Sequence, residues 1–399
     1  MKIKSTIKKF TLLYDIFLTE FRESVTDAGT VLIFGVAAIL YPMIYSVGYL
    51  NETIREIPVA VIDRDHTALS RQYSRMLDAT EQLKVVYKPN SMEEAEQLFF
   101  SGKINGIVFI PAFFQKDMLR GTQGKITVYC DAARFFVYKQ VYTAASNVTT
   151  TMNAGVEVRS MLANGKMWNE AVNRCESISP QVFDLYNPSS GYATFIVPGI
   201  LIIVIQQSLL VGIGLLFGKH RERKTLNPKK PATEAAGSFV TILGKSMAYV
   251  SLYLATSLVT LLLFYHWLSF PDKTNFFSLY PLLILFLFTV SFMGISISIW
   301  FRKRAHALMF IVFLSPMIFF LCGVAWPVES LPGYIKGIGC LFPTTPMLPA
   351  FLKLRVMGGG PASVTHETTI LMIQLLGYLA LAVIMDHLAK NKTQGIAPS

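Results

Sequence analysis

Few side chains in this sequence have the types and spacing that catalysis or metal binding requires. Asp63 and Asp65 follow one apolar, strand-like run, and Asp131 ends another. Three carboxylates near strand ends could ligate a cation, but acids in such places more often cap helices or close turns. His66 has no second histidine at metal-ligand spacing, so we predict that it begins a helix. The sequence therefore predicts no metal site and no catalytic group set.

The four cysteines give no metal or redox motif either. Cys130, Cys175, Cys322 and Cys340 show no C-x-x-C spacing. Cys130 and Cys175 lie in the same segment and could pair in an oxidising compartment. Two separate thiols are an equal alternative.

The tripeptide Gly-Lys-Ser at 244–246 resembles the end of a phosphate-binding loop. Such a loop needs a glycine five residues before Gly244, where Phe239 stands, and a preceding strand. The tripeptide instead opens an apolar run of helix length. We predict no ATP site, no enzymatic activity and no cofactor bound directly by the chain.

The elements around these residues are those of a membrane protein. Of 399 residues, 52% are hydrophobic and 15% are charged, against about 25% charged in a typical soluble domain. A membrane-spanning helix needs about 20 apolar residues, and six runs meet this length. They cover approximately residues 30–50, 193–217, 239–265, 276–301, 305–326 and 369–385.

The formal net charge of +11 indicates topology. Residues 51–192 contain 15 Lys/Arg and 15 Asp/Glu, so this segment is neutral. Sixteen basic residues lie in segments 1–28, 218–238, 302–305 and 390–399, and four (Lys273, Lys336, Lys353 and Arg355) lie in the loops between. The positive-inside rule then places both termini in the cytoplasm and residues 51–192 outside. The basic clusters favour a membrane-lipid partner and show no pattern for reading nucleic acid.

The first 28 residues predict an amphipathic helix along the cytoplasmic membrane surface. Asp15 and Glu20 interrupt the apolar positions, which excludes a signal peptide. Phe10, Leu13, Tyr14, Phe17 and Phe21 share one helical face, and the charged residues lie elsewhere. A cytoplasmic helix packed on a partner is the alternative, and the two are compatible.

Residues 51–192 predict an α/β domain. Short apolar runs alternate with helical stretches, which indicates βαβ crossovers and an open sheet. Residues 136–175 are largely helical, with an interruption near 164–165. The strands are predicted at 57–62, 83–87, 104–110 and 125–129, and the helices at 66–80, at 91–101 and before Gly121.

The middles of the six apolar runs contain no Asp, Glu, Lys, Arg or His. Transporters driven by ion gradients commonly place ionisable groups there. The polar residues are neutral ones such as Gln206, Gln207 and Gln374. A protein of this kind that moves a substrate needs energy from a partner.

Three regions together resemble the ABC-2 type permeases, the membrane subunits of type-2 ABC exporters, in the subgroup with a large extracytoplasmic domain. The overall plan is similar, with an interfacial helix, one span, a large domain and five further spans. The stretch 220–226 reads His-Arg-Glu-Arg-Lys-Thr-Leu, and Leu-Gly-Lys follows at 243–245. After the fifth span come Gly-Val-Ala-Trp-Pro at 323–327, Leu-Pro at 331–332 and Leu-Phe-Pro-Thr-Thr-Pro at 341–346.

The resemblance implies a fold and roles for particular residues. The fold is an α-helical membrane protein with six transmembrane helices and an α/β extracytoplasmic domain inserted between the first and second. The implied parts are an interfacial helix (1–28), a first span (29–50), the external domain (51–192), a five-helix region (193–389) with a coupling loop (218–238) and an outer segment (327–368), and a cytoplasmic tail (390–399). The implied sites are an ATPase-coupling stretch (Arg221, Glu222, Arg223, Lys224, Thr225 and Leu226), the start of the third span (Gly244 and Lys245) and outer prolines that mark short external helices (Pro327, Pro332, Pro343 and Pro346).

The resemblance also implies partners. These are a separate ATP-binding cassette ATPase that carries the ATP, a second permease copy or paralogue, and a periplasmic adaptor protein, in the inner membrane of a bacterium. The sequence departs from the family's Gly-Thr-Leu-Glu stretch, because Lys224 stands where the glycine is expected and Asn227 where the acid is expected, and Pro228 and Pro231 follow in the coupling loop. Two prolines break a helix there, so the docking helix is shorter or the contact falls to the N-terminal helix. An ordinary basic loop against anionic lipid is the alternative.

Nothing in the sequence identifies the substrate. The favoured function is the permease subunit of an ABC exporter. A membrane-anchored scaffold or receptor acting through its external domain is the main alternative, and a secondary transporter is the next.

Gly214 and Gly218 form a GxxxG pair that lets helices approach closely.

Overall fold

The computed structural model describes residues 2–48, 54–175, 185–187, 191–224, 236–267 and 272–394. The chain divides into two compact units. One comprises Met1–Glu52 together with Asp184–Ser399, and the other comprises Thr53–Phe183. We call them the helical unit and the α/β unit.

Within its described residues, the helical unit contains six helices that are long and apolar enough to cross a membrane. Helix α1 (Lys2–Thr26) precedes the first of them. The first span consists of α2 (Ala28–Val31), a π-helical turn (Leu32–Ala37) and α3 (Ala38–Gly48), and the others are α9 (Tyr192–Lys224), α10 (Ser238–Trp267), α11 (Phe276–Ser298), α12 (Arg304–Leu321) and α15 (Thr365–Gln394). The prediction of six spans is confirmed. The helix of the second span continues to Lys224 rather than ending near residue 217, and Gly218 lies within it without ending it.

The second span lies at the centre of the helical unit. It is the most buried of the six, whereas the fifth and sixth are the least buried. Three of its glycines, Gly212, Gly214 and Gly218, let neighbouring helices approach closely. A Cβ atom at Gly212 would overlap the ring of Phe34, and one at Gly214 would lie 2.7 Å from the Cβ of Ala307. The predicted GxxxG pair therefore packs against the fifth span.

Two short helices connect the fifth and sixth spans, α13 (Gly333–Gly339) and α14 (Thr344–Arg355), with 3-10 turns at Val328–Ser330 and Pro361–Val364. Helix α14 is not a surface element. Its side chains from Met347 to Leu354 belong largely to the core that the second and fourth spans form. The Gln206 side chain of the second span accepts a hydrogen bond of 3.0 Å from the Thr344 backbone nitrogen.

The α/β unit contains a four-stranded sheet with helices on both faces. Its strands are β1 (Ile57–Asp63), β2 (Leu83–Tyr87), β3 (Gly106–Ile110) and β4 (Thr127–Cys130), in the order β2-β1-β3-β4. The pairs β1–β2 and β1–β3 are parallel, and β3–β4 is antiparallel. The helices are α4 (Ala68–Asp78), α5 (Met92–Phe100), α6 (Phe114–Leu119), α7 (Phe135–Ala163) and α8 (Trp168–Cys175).

The alternating direction of the side chains along β1 explains why helices pack on both faces of the sheet. Side chains in a strand point to opposite faces in turn. Val59 and Val61 pack with Tyr73 of α4 and with α7, whereas Ala60 and Ile62 pack with Ala95 of α5. The predicted βαβ crossovers and open sheet are confirmed, with boundaries that differ by up to two residues. Cys130 is a free thiol, and burial raises its pKa.

Candidate functional site

The acidic residues at the end of helix α1 face the spans. Glu20, Glu23 and Asp27 recur at i, i+3 and i+7, which places them on one helical face. Glu20 is 3% exposed and Asp27 is 8% exposed. On the aromatic face, Phe10 and Tyr14 are exposed, whereas Leu13, Phe17 and Phe21 are half-buried. The sequence analysis placed the charged residues of this helix away from its aromatic positions, and the structure shows that Glu20 packs against the third span.

Close backbone contact brings α1 against the third span. Gly244 lies next to Ile16, so that an added Cβ would be 3.0 Å from the Ile16 side chain. One turn along α1, the Glu20 carboxylate lies 3.0 Å from Lys245 Nζ. The buried Tyr249 hydroxyl donates a hydrogen bond to the same carboxylate. Gly244 and Lys245 thus lie within a helix, where they hold α1, and they do not form a phosphate-binding loop.

Asp27 joins the second and fifth spans to the start of the first. Its carboxylate lies 2.6 Å from Lys219 Nζ and 2.8 Å from Arg304 Nη2. It also accepts a 3.1 Å hydrogen bond from the Thr30 amide, which caps the first span. Burial alone would raise the pKa of Asp27, but the hydrogen bonds from Lys219, Arg304 and Thr30 outweigh burial and lower it. The carboxylate is therefore charged at neutral pH.

Two further contacts complete this arrangement. The Glu23 carboxylate bonds to His220 Nε2. Glu222 accepts a 3.0 Å hydrogen bond from the Arg304 backbone nitrogen, in the first turn of the fifth span. The side chain of Lys303, the N-cap residue of this helix, makes no capping hydrogen bond. We call the whole set the charged junction: Glu20, Glu23, Asp27, Lys219, His220, Glu222, Lys245 and Arg304.

Gly218 is what lets the second and fifth spans meet at the charged junction. A Cβ atom there would lie 2.7 Å from the Arg304 backbone nitrogen and 2.8 Å from its Cα. Backbone atoms cannot move aside as a flexible side chain can. The approach brings Glu222, four residues after Gly218, within hydrogen-bonding distance of the Arg304 backbone nitrogen, and it brings Lys219 and Arg304 to the same Asp27 carboxylate.

Part of the charged junction has the spacing of a metal site. One ligand atom from each of Glu20, Glu23 and His220 lies within 4.8 Å of the others. The Lys245 ammonium group already contacts Glu20 at 3.0 Å. A bound lysine supplies the positive charge that a cation would bring, so the cluster is better explained as an ion-pair network.

The structure brings together only some of the residues named from the sequence. Glu222, Gly244 and Lys245 belong to or adjoin the charged junction. Arg221, Arg223 and Lys224 lie in the last turn of the second span, whereas Thr225 and Leu226 fall outside the described residues. Sequence reasoning missed Glu23, Asp27, Lys219 and Arg304 as a set. The acidic i, i+3, i+7 spacing next to a span with basic neighbours was the available signal.

The outer prolines all lie at helix starts. Pro327 and Pro332 immediately precede Val328–Ser330 and α13, Pro343 precedes α14, and Pro346 lies in the first turn of α14. Proline suits these positions because the first turn of a helix has backbone nitrogens without a helical partner.

Two of the four basic residues predicted in the outer loops are neutralised by acids. Arg355 Nη2 lies 2.8 Å from the Asp272 carboxylate, and Lys353 Nζ lies 2.6 Å from that of Glu367. Lys219, Lys245 and Arg304, at the opposite end of the spans, are paired with acids as well. We call the end that holds Lys219, Lys245 and Arg304 the basic end.

The acids of the α/β unit close turns and cap helices. Asp63 accepts hydrogen bonds from the backbone nitrogens of Asp65 and His66 and from the Ser70 hydroxyl. Asp65 accepts from the Thr67 hydroxyl and from the Gln115 nitrogen. These carboxylates already accept hydrogen bonds within the α/β unit, so the structure supports the interpretation that they cap helices and close turns. His66 has a positive φ of 51° and precedes the helix rather than beginning it.

Asp131 also has an internal role. Its carboxylate lies 2.6 Å from Arg134 Nε, across one turn. The side-chain hydrogen bond from Arg134 lowers the pKa of Asp131. The contact joins the end of β4 to the start of α7.

A helical unit with six apolar helices long enough to span a membrane, and with ion pairs that join α1 and Asp27 to the second, third and fifth spans, indicates a multi-pass membrane protein. Comparison with known proteins agrees with this class. The profile described as ABC-2 family transporter protein matches residues 28–384. The chain therefore belongs to the ABC-2 family of transporter proteins, and it is a multi-pass membrane protein.

Two relatives match most of the chain. The probable multidrug ABC transporter permease YbhS of Escherichia coli K12 is 22% identical over 382 residues, which is 94% of each chain. The ABC transporter G family member 20 of Dictyostelium discoideum is 22% identical over 319 residues, which cover 76% of this chain and 40% of that protein. Membership of this family implies an ATPase partner.

Proposed function

We propose that the chain is the permease subunit of an ABC exporter, which forms the translocation path and couples to ATP hydrolysis on a separate subunit. The family assignment supports a transporter component. The absence of ionisable side chains from the middles of the spans supports an external energy source. The chain is proposed to lie in the inner membrane of a bacterium, with the basic end and both termini in the cytoplasm.

The charged junction is proposed to be the coupling element. It is the observation that carries this proposal, because acids from one short stretch pair with cations from the second, third and fifth spans. A rigid connection of this kind passes a displacement of α1 or of the loop 218–238 to several spans at once. The exposed Phe10 and Tyr14 of α1 are proposed to contact lipid at the membrane surface.

The assembly is proposed to contain two permease copies, identical or paralogous, with ATPase subunits at the basic end. The α/β unit is proposed to lie outside the membrane, where a periplasmic adaptor could dock. YbhS is named a probable multidrug permease, so amphipathic drugs are the first substrates to test. The residues that bind substrate are not assigned.

Co-purification tests the proposal directly. The full chain, solubilised in mild detergent, should retain an ATP-binding cassette subunit, and reconstituted vesicles should show transport that requires ATP hydrolysis. Recovery of no such subunit, together with no effect of ATP on transport, would exclude the proposal. Dissipating ion gradients while supplying ATP separates this function from secondary transport.

Coupling through the charged junction has its own test. The paired change Glu20→Gln with Lys245→Met removes one ion pair without leaving either charge alone. We expect reduced stimulation of the ATPase and reduced transport, with the assembly intact on size exclusion. Asp15→Asn, on the exposed face of the same helix, is the matched control. Equal coupling in both variants would place the coupling contact elsewhere, with Glu222→Ala plus Arg223→Ala as the next variant.

A further inference from the structure

The α/β unit contains a cavity that its internal contacts do not explain. Its volume is about 490 Å³, and it lies between α4, α6, α7 and the segment that leads into β4. Sites for small organic molecules commonly measure about 300–1,000 Å³. The cavity is therefore large enough for a compact ligand.

Fixed side chains build the inner wall of the cavity. Tyr73 and Phe114 are buried, and Met118 and Met152 lie beside them. The Tyr73 and Thr149 hydroxyls are hydrogen bonded to each other at 2.8 Å, so the phenol ring is held in place. Burial raises the pKa of Tyr73, and a neutral phenol adds no negative charge to the wall.

The opposite wall depends on Gly124. A Cβ atom at this position would lie 3.0 Å from Met118 Sδ and 3.1 Å from Phe114 Cδ2. The segment therefore crosses α6 closely, and its next residue, Lys125, lies on the rim of the cavity. Gln123 and Asn153 are also on the rim, and all three are exposed.

The lining thus combines an aromatic and thioether floor with amides and one ammonium group at the opening. The described residues that line the cavity include no carboxylate. We propose that this cavity binds a small amphipathic organic anion, with its apolar body against Phe114, Met118 and Met152 and its acidic group at Lys125. The amides of Gln123 and Asn153 supply further hydrogen bonds at the rim.

This site is independent of the proposed coupling to an ATPase. The test uses the full chain in lipid nanodiscs with 2-naphthoate as the probe, followed by hydrogen–deuterium exchange and mass spectrometry. We expect slower exchange in residues 114–127 and 149–153 in the presence of the probe. Neutral 2-naphthalenemethanol should bind roughly tenfold more weakly, because it cannot form the charge-assisted contact.

Two variants separate the parts of the site. Lys125→Gln should weaken 2-naphthoate roughly tenfold and leave the neutral analogue unchanged. Asn153→Trp should block both probes by covering the opening. Lys139→Gln removes an exposed lysine of the same unit that does not line the cavity, and it should bind like the wild type.

Four results would overturn the proposal. One is an absence of protection at 114–127, and another is protection confined to the spans, which would mean partition into the lipid. The third is equal affinity for the charged and neutral probes. A loss in Lys139→Gln as large as that in Lys125→Gln would also refute it, since it would indicate a general charge effect.

Discussion

Replacing Asp27 with asparagine should destabilise the helical unit, because two cations share its carboxylate. Asp27 lies 2.6 Å from Lys219 and 2.8 Å from Arg304. The Lys219 side chain is 10% exposed, whereas that of Arg304 is 33% exposed. Arg304 can turn toward water or lipid headgroups after the change. Lys219 would remain buried without its carboxylate.

The expected magnitude follows from this burial. Removing one partner of a buried ion pair costs about 3–5 kcal/mol. Arg304 is partly exposed, so we expect Asp27→Asn to lower the free energy of unfolding by about 3 kcal/mol, the lower end of that range. Asparagine is also a good N-cap, so the cap on Thr30 is kept and the measured loss reports the ion pairs. Adding Lys219→Met to the variant should recover most of the loss.

Reversible unfolding of the full chain by SDS in mixed micelles measures these free energies. Asp15→Asn, on the exposed face of α1, should change the free energy of unfolding by no more than about 0.5 kcal/mol. The reasoning fails if Asp27→Asn is as stable as Asp15→Asn. It also fails if Lys219→Met deepens the loss instead of reversing it.

The same variant predicts a pH dependence. The pKa of Asp27 is lower in the folded protein than in the unfolded chain, where it is about 3.9. A lowered pKa contributes stability above the unfolded value, and that stability is lost as the pH falls through the folded value. The difference between wild type and Asp27→Asn should therefore be constant from about pH 5 to 8 and shrink below about pH 4. A difference that changes between pH 5 and 8 would assign the effect to another group.

Three further changes are measured by the same unfolding assay. Gly218→Ala should lower the free energy of unfolding by about 1–3 kcal/mol, because the added Cβ would lie 2.7 Å from a backbone atom of Arg304. Gly377→Ala, with open space around it, should be neutral or stabilising by up to about 1 kcal/mol. Equal effects of the two changes would contradict the close packing at Gly218. Glu222→Ala should cost about 1 kcal/mol by removing the acceptor at the start of the fifth span, and Glu222→Gln should cost less. Lys353→Met should cost more than Glu367→Gln, because the Glu367 side chain is 8% exposed and that of Lys353 is 39% exposed; the reverse order would refute the pairing.

Apolar run length and strand alternation predicted most of the architecture. The six spans and the strands and helices of the α/β unit follow from these local patterns, because each helix or strand buries a face that its own sequence encodes. Helix α14 was harder to place. Its first four residues, Thr344, Thr345, Pro346 and Met347, belong to a segment expected to form short external helices, yet Thr344, Pro346 and Met347 are buried. A buried glutamine on the second span satisfies the first backbone nitrogen of this helix, and such a distant partner cannot be predicted from local sequence.

The charged junction was beyond prediction for a different reason. A glutamate on an amphipathic helix is usually solvated, so Glu20 was expected on the polar face, and nothing in the sequence singled out Asp27. The cations that pair with these two acids lie 192 or more residues away along the chain. Pairing over that distance depends on how the spans pack, and Gly218 and Gly244 decide it by permitting close approach.

The π-helical turn in the first span has a consequence for helix phase. The buried positions of this span are Thr30, Phe34, Ala38, Pro42 and Ser46, which recur every four residues. A regular α-helix advances about 100° per residue, so a four-residue repeat drifts by about 40° at each step. The extra residue in the turn at Leu32–Ala37 resets this rotation. Deleting one residue there would restore a regular helix and rotate everything beyond it, so that Pro42 and Ser46 would leave the buried face of the span.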